Sequence, residues 1–259
     1  MIALVGILGG LILEGGQLRD VAQFTAAMIV LAGTTGAVLI STPFATVMGA
    51  MRRLAGVFRD STVPMDSLIE ELIGYSTKAR KTGLVSLEQA TEQIADPFLR
   101  KALTLAVDGT DLQEMRKMLE LVIEFEERHA DAEAKVFESA GGYAPTIGII
   151  GAVLGLIQVM KNLANIDEVG HGIAVAFVAT VYGVGAANLF FLPAANKIKA
   201  RFMTEIHRKE LIIEAVSGIV EGMNPKTVRM KLEVYAHGNA PQKPSRGKRA
   251  EVEPEHVSA

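Results

Sequence analysis

The feature that most constrains this chain is a set of apolar runs that carry no charge. The first is Met1 to Leu13. The second lies between Asp20 and Arg52, with its most apolar part from Phe24 to Ile40. The third lies between Glu138 and Lys161, and the fourth between Glu168 and Lys197. The last three each offer about 20 or more residues free of Asp, Glu, Lys and Arg, enough to cross roughly 30 Å of hydrocarbon at 1.5 Å per residue. A buried helix of a soluble core is the competing reading, but such helices are usually shorter, and three in one chain would be unusual. A mean hydropathy of +0.29 over 259 residues, concentrated in these runs, agrees with a membrane protein.

The first run is too short to span alone. It lacks the basic start of a signal peptide, and "LEGGQLRD" is a poor cleavage site. It reads as the end of a first membrane helix, tilted and shielded or lacking an N-terminal turn or two. Basic residues orient the rest. Arg52 and Arg53 follow the second run, and Lys197, Lys199 and Arg201 follow the fourth. The loops "EGGQLRD" and "KNLANIDEVGH" are short and carry no such excess, so they face outward. His171, at the end of the second loop, reads as merely exposed. Both termini and the segment from about 45 to 140 face the cytoplasm.

That middle segment reads as a soluble helical domain. "MDSLIEELIGYSTKARK" has helical periodicity and opens after "TVP". Ser86 with Gln89, and Asp111 with Glu114, have the spacing of helix N-caps. From Asp111 the pattern runs without a breaker into the third apolar run, which predicts one long helix rising to the membrane. The fourth run likewise continues into an amphipathic helix. The expected fold is an all-α integral membrane protein with four transmembrane helices and a helical cytoplasmic domain inserted between the second and third. Its parts are a first transmembrane hairpin (1–44), the cytoplasmic helical domain (45–140), a second transmembrane hairpin (141–196), cytoplasmic amphipathic helices (197–237) and a disordered tail (238–259) rich in Pro, Lys and Glu.

Enzyme chemistry finds little support. The chain has no cysteine and five histidines, which show no ligand spacing with carboxylates, and it has no Walker A lysine motif. "GVGAAN" is a broken dinucleotide fingerprint inside an apolar run. No covalent catalysis, metal or cofactor is expected, and a net charge of -3 gives no sign of nucleic acid. The interiors of runs two to four hold no ionisable residue, although a chain pumping ions alone would be expected to hold one. The chain is therefore structural in the membrane, or it walls a path whose carboxylate comes from a partner. Gly148, Gly151 and Gly155 offer close helix packing, against a background in which glycine is common in membrane helices. Thr146 and Thr180 would ordinarily bond their own helix. Pro145 and Pro193 fall at one membrane face and suggest a hinge between membrane and cytoplasmic parts.

Together "ILEGGQLRD", "GTTGAVLIS", "KARKTGLVSLE", "APTIGIIGAVLGLI" and "AVAFVATVYGVGAANLFFLPAANKIK" resemble the MotA/PomA family, the membrane subunit of the bacterial flagellar stator. The resemblance covers nearly the whole chain. It implies a homopentamer around a dimer of a single-span MotB-type subunit in the bacterial inner membrane. That partner would supply the ion-binding aspartate, and the pentamer would turn against a rotor switch-complex protein. It assigns Arg80 and Glu88 to the rotor interface and Pro145 and Pro193 to coupling. Thr180, Ala152 and Thr146 would line the ion pathway. Sodium-driven relatives carry threonine where this chain has Ala152, which implies H+ as the transported ion. An ExbB/TolQ-type energiser of outer-membrane processes is the nearest rival. A secondary transporter should show internal repeats, and none is convincing. A purely structural scaffold would tolerate loss of Pro145, Pro193 and Thr180.

Overall fold

A computed structural model describes residues 2–57 and 64–237; the tail from 238 lies outside them. The described residues are helical and connected by short turns. In chain order the helices are α1 (Ile2–Leu13), α2 (Leu18–Val21), α3 (Phe24–Ser41), α4 (Phe44–Val57), α5 (Met65–Thr82), α6 (Glu88–Thr91), α7 (Pro97–Val107), α8 (Leu112–Lys161), α9 (Ile166–Ala186), α10 (Leu192–Val220) and α11 (Pro225–His237). A 3-10 turn, Leu84–Leu87, precedes α6, and a π segment, Ala187–Phe191, joins α9 to α10.

Three of these stretches are long and apolar enough to cross a membrane: Phe24–Ser41, part of Leu112–Lys161 and part of Glu168–Val220. Helix α1, with 12 residues, covers only about 18 Å. Helix α3 ends at Ser41, inside the second run, because Thr42 takes the extended backbone (φ -137°, ψ 136°) that the following Pro43 demands. The expected long helix is present as α8, with 50 residues and Pro145 inside it. Asp111 caps it, accepting from the backbone N–H groups of Gln113 (2.9 Å) and Glu114 (3.3 Å). Two local expectations fail. Ser86 does not cap α6: its hydroxyl donates to the Gly83 carbonyl at 2.6 Å and accepts from Thr82 Oγ1 at 2.8 Å, closing the 3-10 turn instead. His171 lies within α9 and not in a loop, because that helix opens by Ile166, with Val169 N–H already bonded to the Asn165 carbonyl.

The apolar helices lock through small residues. On α8, Ala144, Gly148, Gly151 and Gly155 repeat at three- and four-residue spacing, which keeps them on one face. On α9, Gly172, Ala176, Ala179 and Gly183 repeat likewise. The two stripes meet antiparallel. A Cβ added at Gly183 would stand 2.5 Å from the Ala144 carbonyl oxygen, and one at Gly148 would stand 2.9 Å from that of Ala179. At the far end, one at Gly155 would stand 2.8 Å from the Gly172 carbonyl oxygen. Helix α3 packs on the same pair, with Ile147 over Gly33 and Ile29 over Gly151. Ala26 and Val30 of α3 share a buried cluster with Val178 and Ala179.

Below this seam α8 and α10 continue into a polar-surfaced bundle. Its core gathers Leu68 and Leu72 of α5, Leu99 and Leu103 of α7, Met115 and Leu119 of α8, and Leu211 and Ile212 of α10. Ion pairs stitch its rim. Asp96 caps α7 through one carboxylate oxygen and holds Arg208 of α10 through the other at 2.8 Å. Glu214 receives both Arg116 of α8 and Lys231 of α11. Arg229 of α11 grips Glu70 of α5 with two bonds, at 2.5 and 2.7 Å, and this hydrogen bonding holds the Glu70 carboxyl below its ordinary pKa.

The seam predicts that Gly183→Ala and Gly148→Ala each destabilise the purified protein by roughly 1–3 kcal/mol, the cost of overpacking against a backbone that cannot yield. Gly185→Ala, where a Cβ meets nothing within 4 Å, should leave the thermal midpoint in detergent unchanged. Equal midpoints for all three variants would refute this packing.

Candidate functional site

The charge-free seam and its lower end form the first candidate site. Thr180 stands beside Gly148: its Cα is 3.4 Å from where a Gly148 Cβ would be. Its hydroxyl donates to the Ala176 carbonyl at 3.2 Å, the ordinary bond of a membrane threonine. Helix periodicity shows which flank each residue takes. Ile147 and Gly151 of α8 and Val178 and Ala179 of α9 face α3. Thr180 lies on the opposite edge of the α9 stripe. Ala152 and Pro145, seven residues apart and so on one face, lie on the opposite edge of the α8 stripe. The three thus border one open flank of the α8–α9 pair, which also exposes Ile149, Leu156 and Phe177. Thr146 is not with them. It lies two residues before Gly148, about 200° round the helix, and is exposed, its hydroxyl bonded to the Tyr143 carbonyl at 2.8 Å.

The two prolines meet through their neighbours. Pro145 has no N–H for the Gly141 carbonyl one turn earlier. A Cβ at Gly141 would fall 2.7 Å from Cδ2 of Leu192, the residue before Pro193. Pro193 stands at the first turn of α10, directly after the π segment. The wider π turn is a place where a helix absorbs a missing donor and shifts its face. Pro145 is half-buried and Pro193 exposed. The sequence reading missed the π segment. It also missed the Tyr182 hydroxyl, which donates to the Val21 carbonyl and accepts from Gln23 N–H, tying α9 to the entry of α3. A tyrosine inside a charge-free run was the available signal, since a buried phenol needs a partner. Tyr182→Phe should lower stability by about 1 kcal/mol, the net value of such a bond, read as a lower thermal midpoint in detergent; an unchanged midpoint would discount the tie.

The second candidate site lies far along the chain from the seam, at the rim of the polar bundle. Arg80 lies in the last turn of α5 and Glu88 opens α6, with Gly83 between them at φ +84°. That left-handed backbone suits glycine and turns the chain sharply. Arg80 and Glu88 are both exposed, and among the described residues no ion pair joins them to each other or to a third group. Among the described residues there is also no group of three or more His, Cys, Asp or Glu side chains that could hold a metal ion.

Comparison with known proteins agrees along the chain. The profile of the motility protein A N-terminal family matches residues 1–82, and that of the MotA/TolQ/ExbB proton channel family matches residues 90–211. Motility protein A of Bacillus subtilis is 36% identical over 91% of this chain and 87% of its own length. The chemotaxis protein PomA of Vibrio alginolyticus is 30% identical over 90% of this chain and 93% of its own. Among solved structures, that of C. jejuni MotAB superposes with a TM-score of 0.87 at 35% identity, covering 90% of this chain and 92% of that one. The flagellar MotAB stator complex from Bacillus subtilis gives 0.84 at 34%, with the same coverage. The chain belongs to the motility protein A family, within the MotA/TolQ/ExbB proton channel proteins.

Proposed function

We propose that this membrane protein, a flagellar stator subunit, conducts protons together with a MotB-type partner and turns their passage into motion against the rotor. The observation that carries the reading is the match, over 90% of the chain, to two MotAB structures at 35% and 34% identity. The motility protein A match over residues 1–82 and the named relatives favour the stator over an ExbB/TolQ-type energiser. The proposed setting is the bacterial inner membrane, with both termini cytoplasmic and α1 belonging to a fourth span. Residues 1–44 and 141–196 would be the transmembrane hairpins, 45–140 and 197–237 the cytoplasmic parts, and 238–259 a disordered tail.

The proposed assembly is a homopentamer around a dimer of the single-span partner. The open flank bordered by Thr180, Ala152 and Pro145 suits a partner helix: it is apolar, lacks charge, and leaves the ion-binding carboxylate to be brought by that helix. Ala152 offers no side-chain oxygen, so sodium would lack a ligand there, whereas a proton needs only the carboxylate. Thr146, on another face, is left out of the shared border and would touch the path only from a neighbouring subunit. Arg80 and Glu88, exposed beside a sharp turn, suit a charged contact with the rotor switch complex. One charge crossing the membrane releases about 2.3 kcal/mol per 100 mV. That is enough to bias a switch of the Pro145–Leu192 junction but not to unfold a helix.

The reading predicts that deleting the gene, in a host with no second stator, abolishes swimming while flagella still assemble; normal swimming would refute it. Replacing external sodium by potassium at constant proton-motive force should leave swimming unchanged, and arrest would overturn the proton assignment. Pro145→Ala restores a donor for the Gly141 carbonyl, so the purified variant should melt no lower than the parent while swimming is lost. Retained swimming would favour a purely structural role.

A further inference from the structure

A groove just below the apolar helices is used by neither candidate site. Gly49, Arg52, Arg53 and Gly56 recur at three- and four-residue spacing, which places them on one side of α4. Ile198, Arg201, Phe202 and Glu205 do the same on α10, and Glu133 of α8 lies between them. The cavity they enclose measures about 480 Å³. Glycine keeps it open: a Cβ at Gly49 would strike the Glu133 carboxylate, and at Gly56 the same position is open space.

The charges in the groove are unequal. Among the described residues, three guanidinium groups face two carboxylates. Arg53 pairs with Glu133 and lies 5.8 Å above the Phe202 ring. Arg201 donates to the Gly56 carbonyl at 2.9 Å and sits 3.8 Å from Glu205. Arg52 is exposed at the mouth, and among the described residues no carboxylate pairs with it. Val57, Ile198 and Phe202 give the same groove an apolar wall. Directly above lies the buried cluster of Val38, Ala50, Leu54, Ala140 and Ala194, where the apolar helices end.

We propose that this groove binds the phosphate of an anionic phospholipid of the inner leaflet. Arg52 and the outer N–H groups of Arg53 would face the phosphate, and Val57 and Phe202 would meet the glycerol and the first acyl carbons. Guanidinium groups match phosphate oxygens with paired N–H donors, and a basic pocket between membrane helices at the cytoplasmic face suits acidic headgroups. The inference rests on the inward orientation proposed above. Its test reads lipid binding and not swimming, so its failure leaves the stator reading standing.

The full chain, purified in detergent with its partner, would be titrated with phosphatidylglycerol, phosphatidylcholine and inorganic phosphate and followed by native mass spectrometry. Saturable retention of phosphatidylglycerol is expected, weakened roughly fivefold by Arg52→Gln, the value of one basic group near a membrane surface. Arg52→Lys should retain most of it. Lys226→Gln, an exposed charge on α11 far along the chain from the groove, should change nothing. Thermal midpoints would confirm that each variant is folded. Equal retention of phosphatidylcholine, or an unaltered Arg52→Gln, would overturn the proposal. So would competition by inorganic phosphate alone at the same concentration, since that would mark a simple anion site.

Discussion

Everything in the apolar half depends on the backbones of α8 and α9 touching. Helices in lipid gain nothing from hiding apolar side chains from each other, so close approach has to come from small residues and dispersion. Gly148, Gly155, Gly172 and Gly183 allow carbonyl oxygens to lie where side chains would otherwise stand. That contact sets the register of the pair to within a residue, because a shift of one position would put Leu154 or Ile149 against a carbonyl. With the register set, Thr180 is beside Gly148, and α3 is confined to one flank by Ile29 and Ile147. The other flank stays open.

The same two helices carry their alignment out of the apolar layer. Helix α8 is unbroken over 50 residues, about 75 Å, and α10 runs beside it. Their lower parts are gripped by Lys199 with Glu138, Lys209 with Glu126 and Arg116 with Glu214. Partly exposed ion pairs of this kind contribute little stability singly, yet several along one interface fix how two rods lie. Between seam and ion pairs sits the weak place: the Gly141 carbonyl without its usual donor, Leu192 packed on Gly141, and the π segment ahead of Pro193. Two stiff regions joined at one soft level can pivot there.

How much of this was legible varied with the range of the interaction. The long α8 and its Asp111 cap rest on neighbours along the chain, and periodicity and capping chemistry exposed them. The Ser86 cap was misread because two local partners, Gly83 and Thr82, compete for one hydroxyl, and spacing alone cannot rank them. That Thr146 and Ala152 take different faces of α8 was hidden for a different reason. Both lie in one apolar run, but membership of a run does not give the face, and the face matters only once α9 has chosen its side. The flank shared by Thr180, Ala152 and Pro145 needed the position of α3.

By itself the sequence determined that this chain is helical, that three stretches suit a membrane, and that the interiors of those charge-free runs hold no ionisable residue of their own. These follow from composition and period, which any single helix displays. Only the tertiary structure decided the antiparallel glycine register, the meeting of Gly141 with Leu192, and the Arg52, Arg53 and Arg201 groove. Each joins residues tens of positions or more apart through contacts a few ångströms wide. At that scale the outcome depends on which backbones approach, and no local pattern encodes it.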